Sequence, residues 1–182
     1  MTKAELRRAV RAARRKFVAS LSAEQRDELE RRLADNLSPL LAGASAVGGY
    51  HAIGGEIDPA LILDRAARHA LPTFDAGISS FVFREGPATD QGPHGIPQPA
   101  VERPELHPAV ILIPLVATDP AGYRIGQGGG HYDRVLPGLR ERGARLIGLG
   151  WALQRLDFAF ARDPWDVPLD GFASPDGLEM FR

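Results

Sequence analysis

Apolar residues open the chain at helical spacing. Leu6, Val10, Ala13 and Phe17 recur at intervals of four, three and four, which predicts an amphipathic helix. At about 100° per residue, Lys3, Arg7, Arg11 and Arg14 cluster beside that stripe, on the edge where the helix meets whatever it packs on. A solvated basic face is the alternative. Ser22 with Gln25 makes a capping box for a second helix carrying Leu29 and Leu33, and Ser38-Pro39 marks its end. Ala46 to Tyr50 reads as a short buried strand. Asp58 as N-cap, with Pro59 at the first helical position, opens a helix through Leu63 to Ala70. Ile78 to Arg84 is a further strand. From Gly86 to Pro108, six prolines and three glycines without a period predict an irregular loop. Ala109 to Ile113 is an apolar run suited to a central parallel strand. A glycine-rich loop follows, then a helix beginning near His131, the strand Arg145 to Leu149, and a tail rich in Pro and Asp. Strands alternating with helices predict one α/β domain over residues 1–182 with a mostly parallel sheet.

Composition narrows the class. The 182 residues are 44 % hydrophobic and 25 % charged, as in ordinary soluble globular domains. A chain of this length buries roughly two-thirds of its unfolded surface, enough for a core without disulfides. It has no cysteine, which excludes thiol nucleophiles, CxxC redox chemistry and thiolate zinc sites. No apolar run approaches about 20 residues and no basic-then-apolar leader opens the chain, so a cytoplasmic location and no membrane partner are expected. The net charge of −1 argues against general polyanion binding. Residues 1–36 nevertheless hold ten Lys or Arg against six acids. That local excess suits nucleic acid, a membrane surface or a small polyanion such as ATP, and composition does not choose among them.

The densest chemistry lies in Arg124-Ile125-Gly126-Gln127-Gly128-Gly129-Gly130-His131-Tyr132-Asp133-Arg134. Four glycines in five positions cost backbone entropy, so they belong where positive φ or close approach of a ligand is required. Just before a helix they would turn N–H groups and the helix dipole toward an anion, most plausibly a phosphate. A glycine-rich hairpin turn is the rival reading. No Lys-Ser or Lys-Thr follows the last glycine, so this is not a P-loop, and no acid ends the next strand as a dinucleotide fingerprint requires. Asp133, in the first helical turn, could cap the helix or hold Mg²⁺.

Lys3-Ala4-Glu5-Leu6-Arg7, Gly55-Glu56-Ile57-Asp58, Gly92-Pro93-His94-Gly95-Ile96-Pro97-Gln98-Pro99 and residues 124–134 stand in the order and spacing of another set of proteins. Over nearly its whole length the chain resembles the 5-formyltetrahydrofolate cyclo-ligases, also called 5,10-methenyltetrahydrofolate synthetases. The most specific part is the pattern R-[LI]-G-x-G-x-G-[YH]-Y-D-R. The resemblance implies a three-layer α/β/α fold and ATP- and Mg²⁺-dependent ring closure of 5-formyltetrahydrofolate, releasing ADP and phosphate. Carried over by position, Lys3 and Arg7 would hold ATP phosphates, with Arg124, Gly126, Gly128, Gly129, Gly130 and Asp133 around the same nucleotide. Glu56, His131 and Tyr132 would contact the folate, and Asp133 with Asp166 would serve Mg²⁺, Asp170 being the alternative second carboxylate. Arg11 and Arg14 are expected to be surface charge.

Four departures stand out. The family usually has tyrosine at the position of His131, an acid at Gln98, histidine at Trp165, and a tryptophan near Arg84-Glu85-Gly86. An aromatic plane suits a pterin; Trp151 or Phe83 is a candidate substitute, with a place in the core as the commoner alternative for each. A divergent member that keeps the nucleotide but takes another ligand is the second reading. A nucleic-acid-binding protein is a third, but it needs more basic surface than residues 1–36 supply, so no nucleic-acid partner is expected. A monomer or a homodimer is equally consistent with the chain.

Overall fold

The computed structural model describes residues 2–75 and 80–181. In chain order its helices are α1 (Lys3–Ala19), α2 (Ala23–Leu41), α3 (Ala60–Arg65) and α4 (His131–Glu141). The strands are β1 (Val47–Gly48), β2 (His69–Thr73), β3 (Val82–Glu85), β4 (Ala88–Gln91), β5 (Pro97–Pro99), β6 (Val110–Pro114), β7 (Ala117–Thr118), β8 (Arg124–Ile125), β9 (Arg145–Leu149), β10 (Gly171–Ser174) and β11 (Gly177–Met180). Seven strands form one sheet in the order β11-β10-β9-β6-β1-β2-β3. The pairs from β10 across to β2 are parallel, and only the outer strands β11 and β3 run antiparallel.

Alternation along β6 shows why the sheet is covered on both faces. Val110 and Leu112 enter one core with Leu33 and Leu37 of α2 and Ile62 of α3. Ile111 and Ile113 enter a second core with Leu136 of α4. A strand buried on both faces reads as a continuous apolar run, which is how Ala109 to Ile113 stands in the sequence. The result is the three-layer α/β/α arrangement. The parallel strands β1, β6 and β9 all deliver their carboxyl ends to one side, where open α/β sheets place ligands.

Several local expectations are corrected. Helix α2 runs through Pro39 to Leu41, because a proline in the last turn removes one donor while the Ala42 N–H still reaches the Ser38 carbonyl. Pro59 is itself the N-cap position of α3. Asp58 acts one residue early, its Oδ1 accepting from the Ala60 N–H at 2.9 Å. That helix ends at Arg65 instead of reaching Ala70, since His69–Thr73 is drawn into the sheet between β1 and β3. The strand expected from Ile78 is β3 from Val82; Ile78 and Ser79 lie outside the described residues. The proline-rich stretch is an ordered hairpin of β4 and β5, and the tail supplies β10 and β11. On α1, Ala13 is exposed and Arg14 is buried in the stripe with Leu6 and Val10.

Candidate functional site

Helix α1 is the spine of the site. A reciprocal capping box of Thr2 and Glu5 fixes its start, so its first-turn side chains leave from a defined position. Lys3 Nζ lies 2.6 Å from Asp163 Oδ2 and 2.7 Å from Asp166 Oδ2. One turn on, Arg7 Nε donates to the Gly126 carbonyl at 2.9 Å. Next, Arg11 donates to Gln127, from Nε to Oε1 at 2.9 Å and from Nη2 to the carbonyl at 2.7 Å. Last, Arg14 donates to the carbonyls of Gly54 at 3.1 Å and Leu115 at 3.5 Å. Positions three and four apart share a helix face, so Lys3 meets the 163–166 segment, Arg7 and Arg11 meet the glycine loop, and Arg14 meets Gly54 and Leu115. Arg11 and Arg14 are therefore not surface charge: each faces loop backbone whose carbonyls need donors. Burial works against the Lys3 charge, yet the Asp163 and Asp166 carboxylates hold its ammonium above the usual range.

The glycine loop joins β8 to α4. Gly128 and Gly130 have φ of +109° and +65°, and Gly130 is the left-handed N-cap of α4. Those two positions need glycine for the backbone. Gly126 does not: its φ is ordinary and an added Cβ would meet open space. Asp133 does not cap α4 through its side chain; its Oδ1 pairs with Arg124 Nη2. Arg124 is buried and lies close enough to Asp166 to act on its charge. Burial would raise the Asp166 carboxyl, but the Asp163 N–H at 2.8 Å and the Lys3 ammonium hold it below the usual range. Asp170 sits at the opposite end of the sheet, accepting from Leu146 N–H at 2.7 Å and from Arg140. Among the described residues no three His, Asp or Glu side chains gather as a metal cage. Asp133 is paired with Arg124 and Asp166 with Lys3, so each carboxylate would have to exchange that cation for Mg²⁺, which is usually held by one or two carboxylates with substrate phosphates and water.

Glu56 lies under this loop, only 4 % exposed. Its Oε2 accepts from the Ile53 N–H at 3.0 Å and its Oε1 from Gln127 Nε2 at 2.6 Å. Trp151 Nε1 donates to the Gly55 carbonyl at 2.9 Å and fastens the preceding turn. Glu56 does not cap α3, since Asp58 takes that part. Burial pushes its carboxyl up, against the pull of Ile53, Gln127, Arg14 and Arg11. The Tyr132 hydroxyl and His131 Nδ1 are buried without a hydrogen-bond partner among the described residues, which is unusual for polar atoms. Burial also raises the Tyr132 hydroxyl. Tyr132 packs edge-on against Phe81 with centroids 5.1 Å apart, and His131 meets Phe74 at the same separation.

Phe74, partly buried against His131, is an aromatic that the sequence did not single out, whereas Phe81 is buried in the same core as Phe83. Trp151 and Phe83 both take the core position: Trp151 is buried against Phe17, and Phe83 points from β3 into the second core. Gln98 has a local reason. Its Oε1 accepts from the Phe74 N–H at 3.0 Å and its Nε2 donates to the Phe74 carbonyl at 3.1 Å, and a carboxylate could make only the first bond. Trp165 stands in solvent at 65 % exposure. Gln127 and Asp163 were also missed. A polar side chain inside a glycine run was the only signal for Gln127.

Comparison with known proteins gives the family and the fold. The sequence pattern of the 5-formyltetrahydrofolate cyclo-ligase family matches residues 1–175. The 5-formyltetrahydrofolate cyclo-ligase of Haemophilus influenzae is 27 % identical over 177 residues, covering 90 % of this chain and 94 % of that one. The structure of 5,10-methenyltetrahydrofolate synthetase from Aquifex aeolicus superposes with a TM-score of 0.80 at 29 % identity, over 100 % of this chain and 94 % of that one. The Mycoplasma pneumoniae synthetase gives 0.74 at 25 % identity, over 96 % and 99 %. With its sheet order, glycine loop and whole-length match in agreement, the chain belongs to the 5-formyltetrahydrofolate cyclo-ligase family.

Proposed function

We propose that this protein converts 5-formyltetrahydrofolate to 5,10-methenyltetrahydrofolate with cleavage of ATP to ADP and phosphate. The formyl oxygen attacks the γ-phosphate as the N5 lone pair forms an iminium, and ADP leaves. N10 then attacks the iminium carbon and loses its proton, and the phosphate departs with the former formyl oxygen. Such phosphoryl transfer asks a protein for positioning and positive charge more than for a covalent nucleophile.

Lys3 and Arg7 hold the ATP phosphates with the N–H groups of Gly126, Gly128, Gly129 and Gly130, and Arg124 adds charge from below. Asp133 and Asp166 would hold Mg²⁺, which when bound neutralises charge on the phosphates. Glu56 accepts from the pterin N–H and amino groups. Tyr132 and His131 lie beside the ring, where their unpartnered buried polar atoms are ready to meet a ligand. The observation that carries this reading is the contact of Gln127 with both Arg11 and Glu56, which sets the anion-binding helix and the buried carboxylate one side chain apart.

The test is incubation with 5-formyltetrahydrofolate, ATP and Mg²⁺, following the near-ultraviolet absorbance of the methenyl product. Product should form only when all three are present. No product with intact ATP binding would favour a divergent member with another ligand, a reading supported by the burial of Trp151 and Phe83. The same proposal places the protein in the cytoplasm as a monomer or homodimer acting on small molecules.

A further inference from the structure

Glu56 is the residue proposed to meet the folate, yet it is only 4 % exposed and each of its oxygens already accepts a hydrogen bond. Oε2 is taken by the Ile53 N–H, and Oε1 is taken by Gln127 Nε2 at 2.6 Å. Gln127 belongs to the glycine loop and is itself gripped by α1, through Arg11 on both its side-chain and main-chain oxygens. Arg7 holds the neighbouring Gly126 carbonyl. The flanking left-handed Gly128 and the uncrowded Gly126 let this short segment turn without steric penalty.

From this arrangement we infer that Gln127 is a positioning residue that plugs the folate carboxylate until nucleotide binds. Its amide supplies Glu56 with the N–H that the pterin would otherwise supply, so ligand and plug compete for one oxygen. Phosphate oxygens carry more charge than the carbonyls that Arg7 and Arg11 now hold, and an incoming triphosphate draws both guanidinium groups toward itself. The loop loses its anchors, Gln127 leaves Oε1, and the folate takes its place. Binding is thereby ordered, with nucleotide first, and a site without nucleotide keeps Glu56 closed to water. By linkage, folate must strengthen nucleotide binding by the same factor.

This inference rests on the reading of Glu56 as the folate carboxylate, and the test separates the two. Calorimetric titration of 5-formyltetrahydrofolate is run with and without a nonhydrolysable ATP analogue and Mg²⁺ on wild type, Q127M, R11M and E56Q, with a thermal melt of each. In the wild type, nucleotide should raise folate affinity about 10-fold or more, the factor that one hydrogen bond to a charged group is worth. Q127M keeps the size of the side chain and removes its donor. It should bind folate tightly without nucleotide and bring the ratio near one, while R11M loosens the plug in the same direction. Should Q127M fold poorly, Q127N retracts the amide by one methylene and gives the same readout. A ratio in Q127M equal to that of the wild type, or a wild-type ratio of one, overturns the plug alone provided E56Q binds folate weakly. Wild-type folate affinity in E56Q overturns the Glu56 reading and the plug with it.

Discussion

Glu56 carries a charge in a place that penalises it, and this makes it responsive to pH. Because burial raises its carboxyl, protonation begins above the ordinary glutamate range as pH falls, and the acceptor for a pterin N–H is lost. The KM for folate should therefore climb on the acid side. E56Q should weaken folate binding, spare nucleotide binding and abolish that acid limb; unaltered folate affinity would remove Glu56 from the site. The stability signs follow by linkage. For Glu56 the folded state holds the proton more tightly, so its contribution rises as pH falls from the raised value to the ordinary one. For Asp166 the folded carboxyl is lowered, so its contribution is present above the ordinary aspartate range and is lost as pH falls through the lowered value. Asp133 gives a separate test. In D133N the amide oxygen still accepts from Arg124, so the fold should persist, while a negative ligand for a hard cation is gone. Turnover should fall by orders of magnitude and the half-maximal Mg²⁺ concentration should rise. An unchanged Mg²⁺ midpoint with near-normal turnover would sink the metal role.

At the scale of the element, α1 divides its basic row between function and folding. Lys3 and Arg7 are tied to a loop and a glycine carbonyl in partly exposed contacts, which are worth about 0–1 kcal/mol each. Changing both to Ala should raise the KM for ATP while the melting temperature barely moves, and equal ATP kinetics would take the helix out of the site. Arg14 is the opposite case. Its removal takes the guanidinium from the Gly54 carbonyl and from beside the buried Glu56 carboxylate, at about 1–3 kcal/mol, while the Leu115 carbonyl keeps Gln154 Nε2 at 2.7 Å. R14A should lower the melting temperature by several degrees, since about 2–4 °C is lost per kcal/mol in a chain of this size. Thermal unfolding by circular dichroism checks it, and a wild-type melt would show that water replaces the guanidinium there.

For the whole molecule, the arrangement that matters is α1 and the glycine loop meeting through Arg7 on Gly126 and Arg11 on Gln127. No described helix is long and apolar enough to cross a membrane. The long periodic elements were legible from residues alone: α1, α2, α4, β6 and β9 each bury a face that repeats every three to four positions or runs apolar throughout. The strands β2, β5, β10 and β11 were not. None of them runs apolar throughout, and β2 and β5 contain proline; their pairing is chosen by the neighbour, which no window of sequence contains. The glycine motif was equally legible, because its eleven residues are contiguous and its chemistry is local. The sequence by itself thus determined the layered class, the family pattern and the anion-binding loop. Only tertiary structure decided that Arg14 is buried, that Asp166 faces Lys3 across 163 positions, and that Gln127 closes over Glu56 across 71. Periodicity and turn chemistry act over one or two turns of chain, whereas these contacts exist only where packed layers bring distant loops to the same edge of the sheet.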